Sequence, residues 1–556
     1  ARQMADKCFG INETRLATSR LGTLFSIGRV QTPTLGLVVN RDEAIKNHIK
    51  QQFYELEAIG KVNGEKLTFS FIPSKELLAE EKHIFNKEVL TELKKALDTT
   101  TEDFTTTATE IKKYPPLPYN LTLLLSDMSK RFGMSAAKTQ DITQSLRDKY
   151  KAITYNRSDS QYLKEEHFTQ AKAVLRQAMH NIGAHWELDF TLHSKAFNDK
   201  NVTAHHGIIP QEITVPTDSM TPDEKKVYTA IVERYAMQFL PPAIYDESTS
   251  SFPVKNGEMR AVTKKIRDAG YLSTFGNIID NEEENSSRNP WLDEGNYQLE
   301  NISCEILEKE TTPPKPYTEG TLISDMASIA KYVSDPNIKA ILKQKDNGKK
   351  GEHGGIGTTA TRASIIEKLK KRGYLEEQKN KIRSTEKART FYHLLPPEIR
   401  SADVTAHWWL IQQEIASGKT NVNALQDNVV EVFQKHQDSA YQGVTLDINH
   451  SSSMMVGKCP LCGHDVLHKK SKQNHKNFYI CSTSKNTKQE DGTWKKEGCP
   501  FILSSFSQKP LTPKQATNLL SGKTISLKGC TSKTGKPFDC KLSLTREGKL
   551  TPHFVK

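Results

Sequence analysis

A phenol, a guanidinium and several short polar donors fall together in Ala152-Ile153-Thr154-Tyr155-Asn156-Arg157-Ser158-Asp159-Ser160. This set can attack a phosphodiester. A tyrosine oxygen is a weak nucleophile at neutral pH because its hydroxyl ordinarily titrates near about 10. A fixed cation is needed to favour phenolate and to neutralise charge on a pentavalent phosphorus. Arg157 offers a planar fork matched to phosphate oxygens. In an extended segment, residues two apart share a face, so Tyr155 and Arg157 are expected to turn toward one phosphate. The same residues also suit a half-buried strand with a tyrosine at its edge.

The run resembles the active-site tyrosine motif of type IA DNA topoisomerases, and further stretches match that family in order. Ser26-Ile27-Gly28-Arg29-Val30-Gln31-Thr32-Pro33-Thr34-Leu35 is similar to its G-R-V-Q-T-P segment. Ala204-His205-His206-Gly207-Ile208-Ile209-Pro210 is similar to its H-x-A-I-x-P segment. Pro316-Tyr317-Thr318-Glu319-Gly320-Thr321-Leu322 and Gly357-Thr358-Thr359-Ala360-Thr361-Arg362 match two more, the second continuing through Ile365-Ile366-Glu367 to Arg372-Gly373-Tyr374-Leu375. The likeness covers residues 1 to 445 and leans toward the topoisomerase III branch.

The resemblance implies Tyr155 as nucleophile, Arg157 as its phosphate partner, and His205 as a phosphate contact or proton relay. It implies that Arg29 with Gln31, and Thr361 with Arg362, hold a single-stranded DNA backbone. Lys138, on the helical stretch before the tyrosine, is expected as a further phosphate contact. The implied reaction breaks one strand as a 5′-phosphotyrosyl ester, passes a strand and reseals without ATP, relaxing negative supercoils or decatenating DNA. Gly522-Lys523-Thr524 looks like the end of a phosphate loop, but Thr517 stands where that motif needs glycine.

Family members normally begin with a toprim domain whose Glu and Asp-x-Asp carboxylates hold Mg²⁺, and no Asp-x-Asp occurs in this sequence. The expectation is a toprim-less fragment, with Mg²⁺ and its carboxylates supplied by a longer parent or a separate polypeptide. A different class is a catalytically inactive single-stranded nucleic-acid-binding protein with a zinc ribbon, distinguished by the absence of a tyrosyl adduct. Tyrosine recombinases need a Tyr near the carboxyl end, and relaxases a metal-binding histidine cluster. Neither pattern is present.

Charge and cysteine spacing point to a distinct tail. Residues 451–556 hold 19 Lys and Arg against 6 Asp and Glu, a net of +13, whereas the remainder, 59 against 60, is −1. Lysines interleaved with Phe478, Tyr479, Trp494, Phe501, Phe506, Phe538 and Phe554 fit single-stranded nucleic acid, or a basic surface over a small aromatic core. Cys459, Cys462, Cys481 and Cys499 follow C-x2-C-x18-C-x17-C, which four thiolates around Zn²⁺ would explain. His464 and His468 are alternative ligands. Cys530 and Cys540 read as packed residues of a hairpin, and Cys8 and Cys304 as core.

The chain of 556 residues is long enough for several domains. Apolar spacing through Leu35, Leu37 and Val38 suggests a helix. Alternation over about Gln52 to Thr109 and Asp246 to Glu310 predicts strands. Between them Pro115-Pro116 marks a break, Leu121 to Met128 is helical, and Ser135 caps a helix. The predicted parts are 1–50, first part of a helical DNA-binding domain; 51–111, a β-rich arch; 112–242, a helical domain carrying the tyrosine; 243–312, the arch again; 313–445, the second helical part; 446–456, a linker; and 457–556, a zinc ribbon with a basic region. This is a multidomain α+β chain. The resemblance implies a toroid of winged-helix-like helical domains joined by the arch around a central hole. No apolar run spans a membrane. The setting implied is a bacterial cytoplasm, with a plasmid as one candidate replicon.

Overall fold

The structure is a computed structural model describing residues 2–22, 24–78, 82–202, 204–278, 289–347, 352–441, 455–470, 477–488, 494–507, 509–532 and 536–554. The chain divides into two compact units, Ala1–Arg20 with Leu24–Gly443, and Leu21–Thr23 with Val444–Lys556. Most of the expected linker, 446–454, lies outside the described residues.

The alternating segments of the first unit form a closed antiparallel barrel of β1 (Gln52–Val62), β2 (Glu65–Pro73), β3 (Glu102–Lys113), β4 (Ala243–Val254), β5 (Gly257–Asp268) and β6 (Gly295–Glu310), in the order β1-β2-β5-β4-β3-β6. Closure leaves no unpaired strand edge. Leu56, Ala58, Leu67, Phe69, Phe104, Phe252, Met259 and Leu299 fill its core, and the helix Lys87–Leu97 adds Leu90, Leu93 and Leu97 from one face. At Gly60 the strands come so close that a Cβ would lie 2.6 Å from the Leu299 side chain, which explains a glycine mid-strand.

Register explains how the helical regions attach. Lys113 of β3 pairs with Ala243 of β4, so residues 114–242 leave and re-enter the barrel side by side. Gln52 pairs with Glu310, so the first and last helical stretches join it in the same manner. The insert carries the helices Leu121–Phe132, Ala136–Asp148, Glu165–Ile182 and Pro222–Ala236. Each of three starts where its cap says: Asn120 accepts from the Leu123 amide, Ser135 from the Lys138 amide, and Thr221 forms a reciprocal box with Glu224. The closing helical part has Glu319–Ala327, Pro336–Lys345 and Thr359–Lys371 followed by the hairpin Leu375–Gln378 and Lys381–Ser384, a winged-helix order.

In the second unit, Met455–Lys458, Asp465–Lys470, Asn477–Cys481 and Ile502–Leu503 make one antiparallel sheet. The helix Pro513–Leu520 and a three-stranded sheet, Ile525–Thr531, Pro537–Leu544 and Leu550–His553, share its core. Cys530 and Cys540 are buried on paired strands, as packed residues should be.

Candidate functional site

The helix Ala136–Asp148 delivers the tyrosine loop. Past its end, Tyr150 is buried with its hydroxyl donating to Ser219 O at 3.2 Å, and the Ala152 amide turns back to Leu146 O at 2.8 Å. Thr154 then locks the loop to the histidine-bearing segment. Its amide donates to Ile209 O at 3.0 Å, its hydroxyl to Gly207 O at 3.3 Å, and the Ile209 amide returns to its Oγ1 at 3.1 Å. Ile153 also bridges Pro210. Two motifs distant in sequence thereby become one site.

At that site the half-buried Tyr155 ring meets the His205 ring edge-on, with centroids 4.4 Å apart at 71°. The Arg147 guanidinium lies over the same ring, 4.8 Å from its centroid. Tyr155 borders an open cleft of about 400 Å³ lined also by Arg147, Asp148, Lys151, Thr154 and Gln211. On the far side of Thr154, His167 and His206 lie 4.2 Å apart and line a cavity of about 320 Å³. Burial pushes both imidazoles below the ordinary histidine range.

The extended reading of Tyr155 to Arg157 is corrected. A turn occupies Asn156 and Arg157, pinned by buried Asn156, whose amide group donates to Thr143 Oγ1 at 3.2 Å and Gln144 Oε1 at 3.3 Å. Arg157 is exposed, with one long bond of 3.4 Å to Gln144 Oε1. The cation on the phenol ring is Arg147, eight residues earlier, which sequence reasoning missed. No periodicity or motif marks it, because its position depends on the tight turn between Tyr150 and Ala152.

The other expected contacts scatter. Arg29 is 7% exposed, gripped by both oxygens of Asp6 at 2.8 and 3.2 Å, bonded to Thr405 Oγ1 at 3.0 Å, and stacked on Trp408. Arg362 is 0% exposed and bonded at 2.6 Å to each oxygen of Glu352, besides Ile356 O and Thr122. Both guanidiniums stand in buried ion pairs, a partner for each that the sequence did not reveal. Gln31 bridges Ser26 O and Arg372. Thr361 forms a reciprocal cap with Thr358 at the start of Thr359–Lys371, and Thr359 of that helix donates to Arg157 O at 3.4 Å. Thr361 thus stands at a helix end that abuts the tyrosine loop. Lys138 is exposed and paired with Asp223.

In the second unit the knuckle between two strands carries Cys459 and Cys462, while Cys481 ends a strand and Cys499 precedes another. Their four sulfurs lie within 4.8 Å of one another, with Cys459 to Cys499 at 3.6 Å and Cys462 to Cys481 at 3.4 Å. Tetrahedral Zn–S bonds of about 2.3 Å give S···S edges of about 3.8 Å. The set fits Zn²⁺. The His464 backbone amide draws the Cys462 thiol toward thiolate, whereas burial pushes the Cys459 and Cys499 thiols up, so the fit to Zn²⁺ rests on the sulfur geometry. His464 instead contacts Cys462 O, and His468 stacks on Tyr479 and bonds Asn477, so neither histidine joins the cluster. Of the tail aromatics, Tyr479 and Phe501 are core, Phe478, Phe506 and Phe538 are partly buried, and Phe554 is 67% exposed. The Trp494 side chain lies outside the described residues.

Comparison with known proteins agrees with this architecture. A family model described as DNA topoisomerase matches residues 1–427, and one described as the C-terminal repeat of topoisomerase matches 498–555. The chain is 37% identical over 436 residues to a DNA topoisomerase 3 of Vibrio cholerae, covering 75% of this chain and 65% of that protein. It is 35% identical over 441 residues to one of Salmonella typhimurium, covering 75% and 65%, and 30% identical over 507 residues to one of Staphylococcus aureus, covering 88% and 67%. It thus spans about two thirds of the length of these relatives. The solved full-length topoisomerase I from Thermotoga maritima shares the fold, with a TM-score of 0.52 and 21% identity over 87% of this chain and 74% of that one. With the matched model spanning the barrel, both helical regions and the tyrosine loop, the chain belongs to the DNA topoisomerase family.

Proposed function

We propose that this chain is the strand-cleaving part of an ATP-independent type IA topoisomerase, with Tyr155 as nucleophile. The observation that carries the reading is the Tyr155 ring, held between the His205 edge and the Arg147 guanidinium at the mouth of an open cleft. The phenol oxygen attacks a backbone phosphorus of single-stranded DNA and its proton passes to a neighbouring base, for which His205 is placed. The bond from phosphorus to the 3′ oxygen breaks, that oxygen leaves as a hydroxyl, and the 5′ phosphate stays on tyrosine. Reversal by the hydroxyl reseals the strand, so the ester conserves the bond energy. Exposed Arg157 closes on the phosphate from the turn, and Thr361 at the adjoining helix start offers the positive end of a helix dipole. Lys138 and Gln31 guide the strand more distantly.

Among the described residues the four cysteines are the one group of three or more His, Cys, Asp or Glu that could hold a metal. As the family resemblance implies, we assign the Mg²⁺ of the reaction to carboxylates of a toprim-type domain, in a longer parent or a separate polypeptide. Such an ion would supply charge that helps align the broken ends. The zinc-binding unit, with its excess of lysine, retains single strands. No described helix is long and apolar enough to cross a membrane, and we place the work in a bacterial cytoplasm.

The test is end-labelled single-stranded DNA incubated with the chain, with and without Mg²⁺ and a toprim domain, then quenched with detergent. Label should remain on wild type and be lost with Tyr155→Phe. Binding without any adduct, even with the added domain, would leave a nucleic-acid-binding protein instead.

A further inference from the structure

The turn that leads into the tyrosine loop contains an unexplained expense. Lys151 adopts φ +55°, a left-handed conformation that a side chain with a Cβ takes up only at a cost of about 1–2 kcal/mol, and that glycine or asparagine would take more readily. Glycine fills the turns at Gly133 and Gly183 after helices of the same region, although Thr99, Lys379, Tyr441 and Ser507 elsewhere also adopt positive φ. At position 151 the chain carries lysine, exposed and without a hydrogen-bond or ion-pair partner among the described residues. Strain of this kind gathers where a side chain is needed for its chemistry.

What it lines is the cleft beside Tyr155. The second cation there, Arg147, is 41% exposed, and its nearest carboxylate, Asp148, is at 3.9 Å, too far for a hydrogen bond. Its fork is therefore open on the side away from the tyrosine ring. Two nearby cations, Lys138 paired with Asp223 and Lys149 bonded to the Tyr150 hydroxyl at 2.8 Å, do not line this cleft. An open volume of about 400 Å³ with two uncommitted cations suits a hydrated phosphodiester.

We propose that this cleft is a phosphate subsite, in which Arg147 and Lys151 hold the backbone phosphate of single-stranded DNA next to the one that Tyr155 attacks. The assignment rests on the proposed nucleophile for which phosphate is next in line, but not on cleavage for its test. Because Arg147 also contacts the Tyr155 ring, a seated phosphate orients the phenol through it. Arg147 is in this respect a positioning residue as well as a ligand.

The experiment titrates a twelve-nucleotide single strand by fluorescence anisotropy across a range of salt. The proteins are the full chain, R147Q/K151Q, and a control K66Q/K255Q that removes equal charge from exposed barrel positions. The subsite predicts that R147Q/K151Q loses about tenfold in affinity at low salt, and that its slope of log affinity against log salt falls by about 0.7, the value for one phosphate on a single strand. The control should move far less. K151G separates strain from binding: it should melt no lower than wild type yet bind less tightly. Equal losses in the cleft and control variants, or wild-type binding by K151G, would overturn the proposal. All arms are repeated in a Tyr155→Phe background, where binding is expected to persist. Failure of the nucleophile assignment, read from the covalent adduct, therefore stays distinguishable from failure of the subsite.

Discussion

Two sets of arginines in the first unit do opposite work. Arg29 and Arg362, which sit in the motifs flanking the site, are buried and clasped by carboxylates. Arg147 and Arg157, beside Tyr155, are half-buried and exposed respectively, and both are loosely held. The difference follows from desolvation. A guanidinium withdrawn from water must be paired at once, and a carboxylate so close leaves it little to offer a phosphate. One left at the surface keeps its donors. The motif arginines thus include buried, ion-paired groups (Arg29, Arg362) and an exposed, loosely held one (Arg157), and residue type alone does not separate them.

Substitution should sharpen that contrast most strongly at Arg362. Arg362→Met leaves Glu352 half-stranded and should cost about 3–5 kcal/mol of stability, seen as a lower Tm by calorimetry, with partial recovery when Glu352→Gln is added. A loss under about 1 kcal/mol would break the strut picture. Arg29→Met should cost less, about 1–3 kcal/mol, because Asp6 is 38% exposed and can rehydrate where Glu352, at 11%, cannot.

A pH effect comes next. His167 and His206 bind protons less readily folded than unfolded, so the unfolded chain takes up more protons as acid is added. Stability should be full above the ordinary histidine range near about 6.5 and decline as pH falls through it. His206→Asn should flatten part of that decline in urea titrations at pH 7.5 and 5.5. An unchanged difference between those pH values would mean that the pair is not held neutral by burial. Smallest of all, Arg147→Gln should alter stability by no more than about 0.5 kcal/mol, since its side chain is 41% exposed and makes no short ion pair.

Much of the molecule is legible in its sequence, wherever local chemistry decides the outcome. Alternation in Leu67-Thr68-Phe69-Ser70-Phe71 reads as a strand and is one, because half its side chains must enter a barrel. Ser135 reads as a cap for the same reason that it acts as one. The four cysteines are legible because a metal site leaves few ways to satisfy its ligands. What stays hidden are partners chosen by the tertiary fold. Nothing in the order of residues shows Asp6 reaching Arg29, Glu352 reaching Arg362, or Arg147 lying over Tyr155. The closure of the strands into a barrel is equally invisible there, since alternation fixes which face is buried and not which strand is next.

Covalent joining of Tyr155 to DNA is what sets cleavage apart from binding. The direct measurement is mass spectrometry of a tryptic digest after trapping with single-stranded DNA, Mg²⁺ and a toprim domain, followed by nuclease trimming. Trypsin cuts after Lys151 and Arg157, so a nucleotide is expected on the peptide Ala152–Arg157, attached through its 5′ phosphate to Tyr155. A nucleotide on any other peptide, or a 3′ linkage, would contradict it.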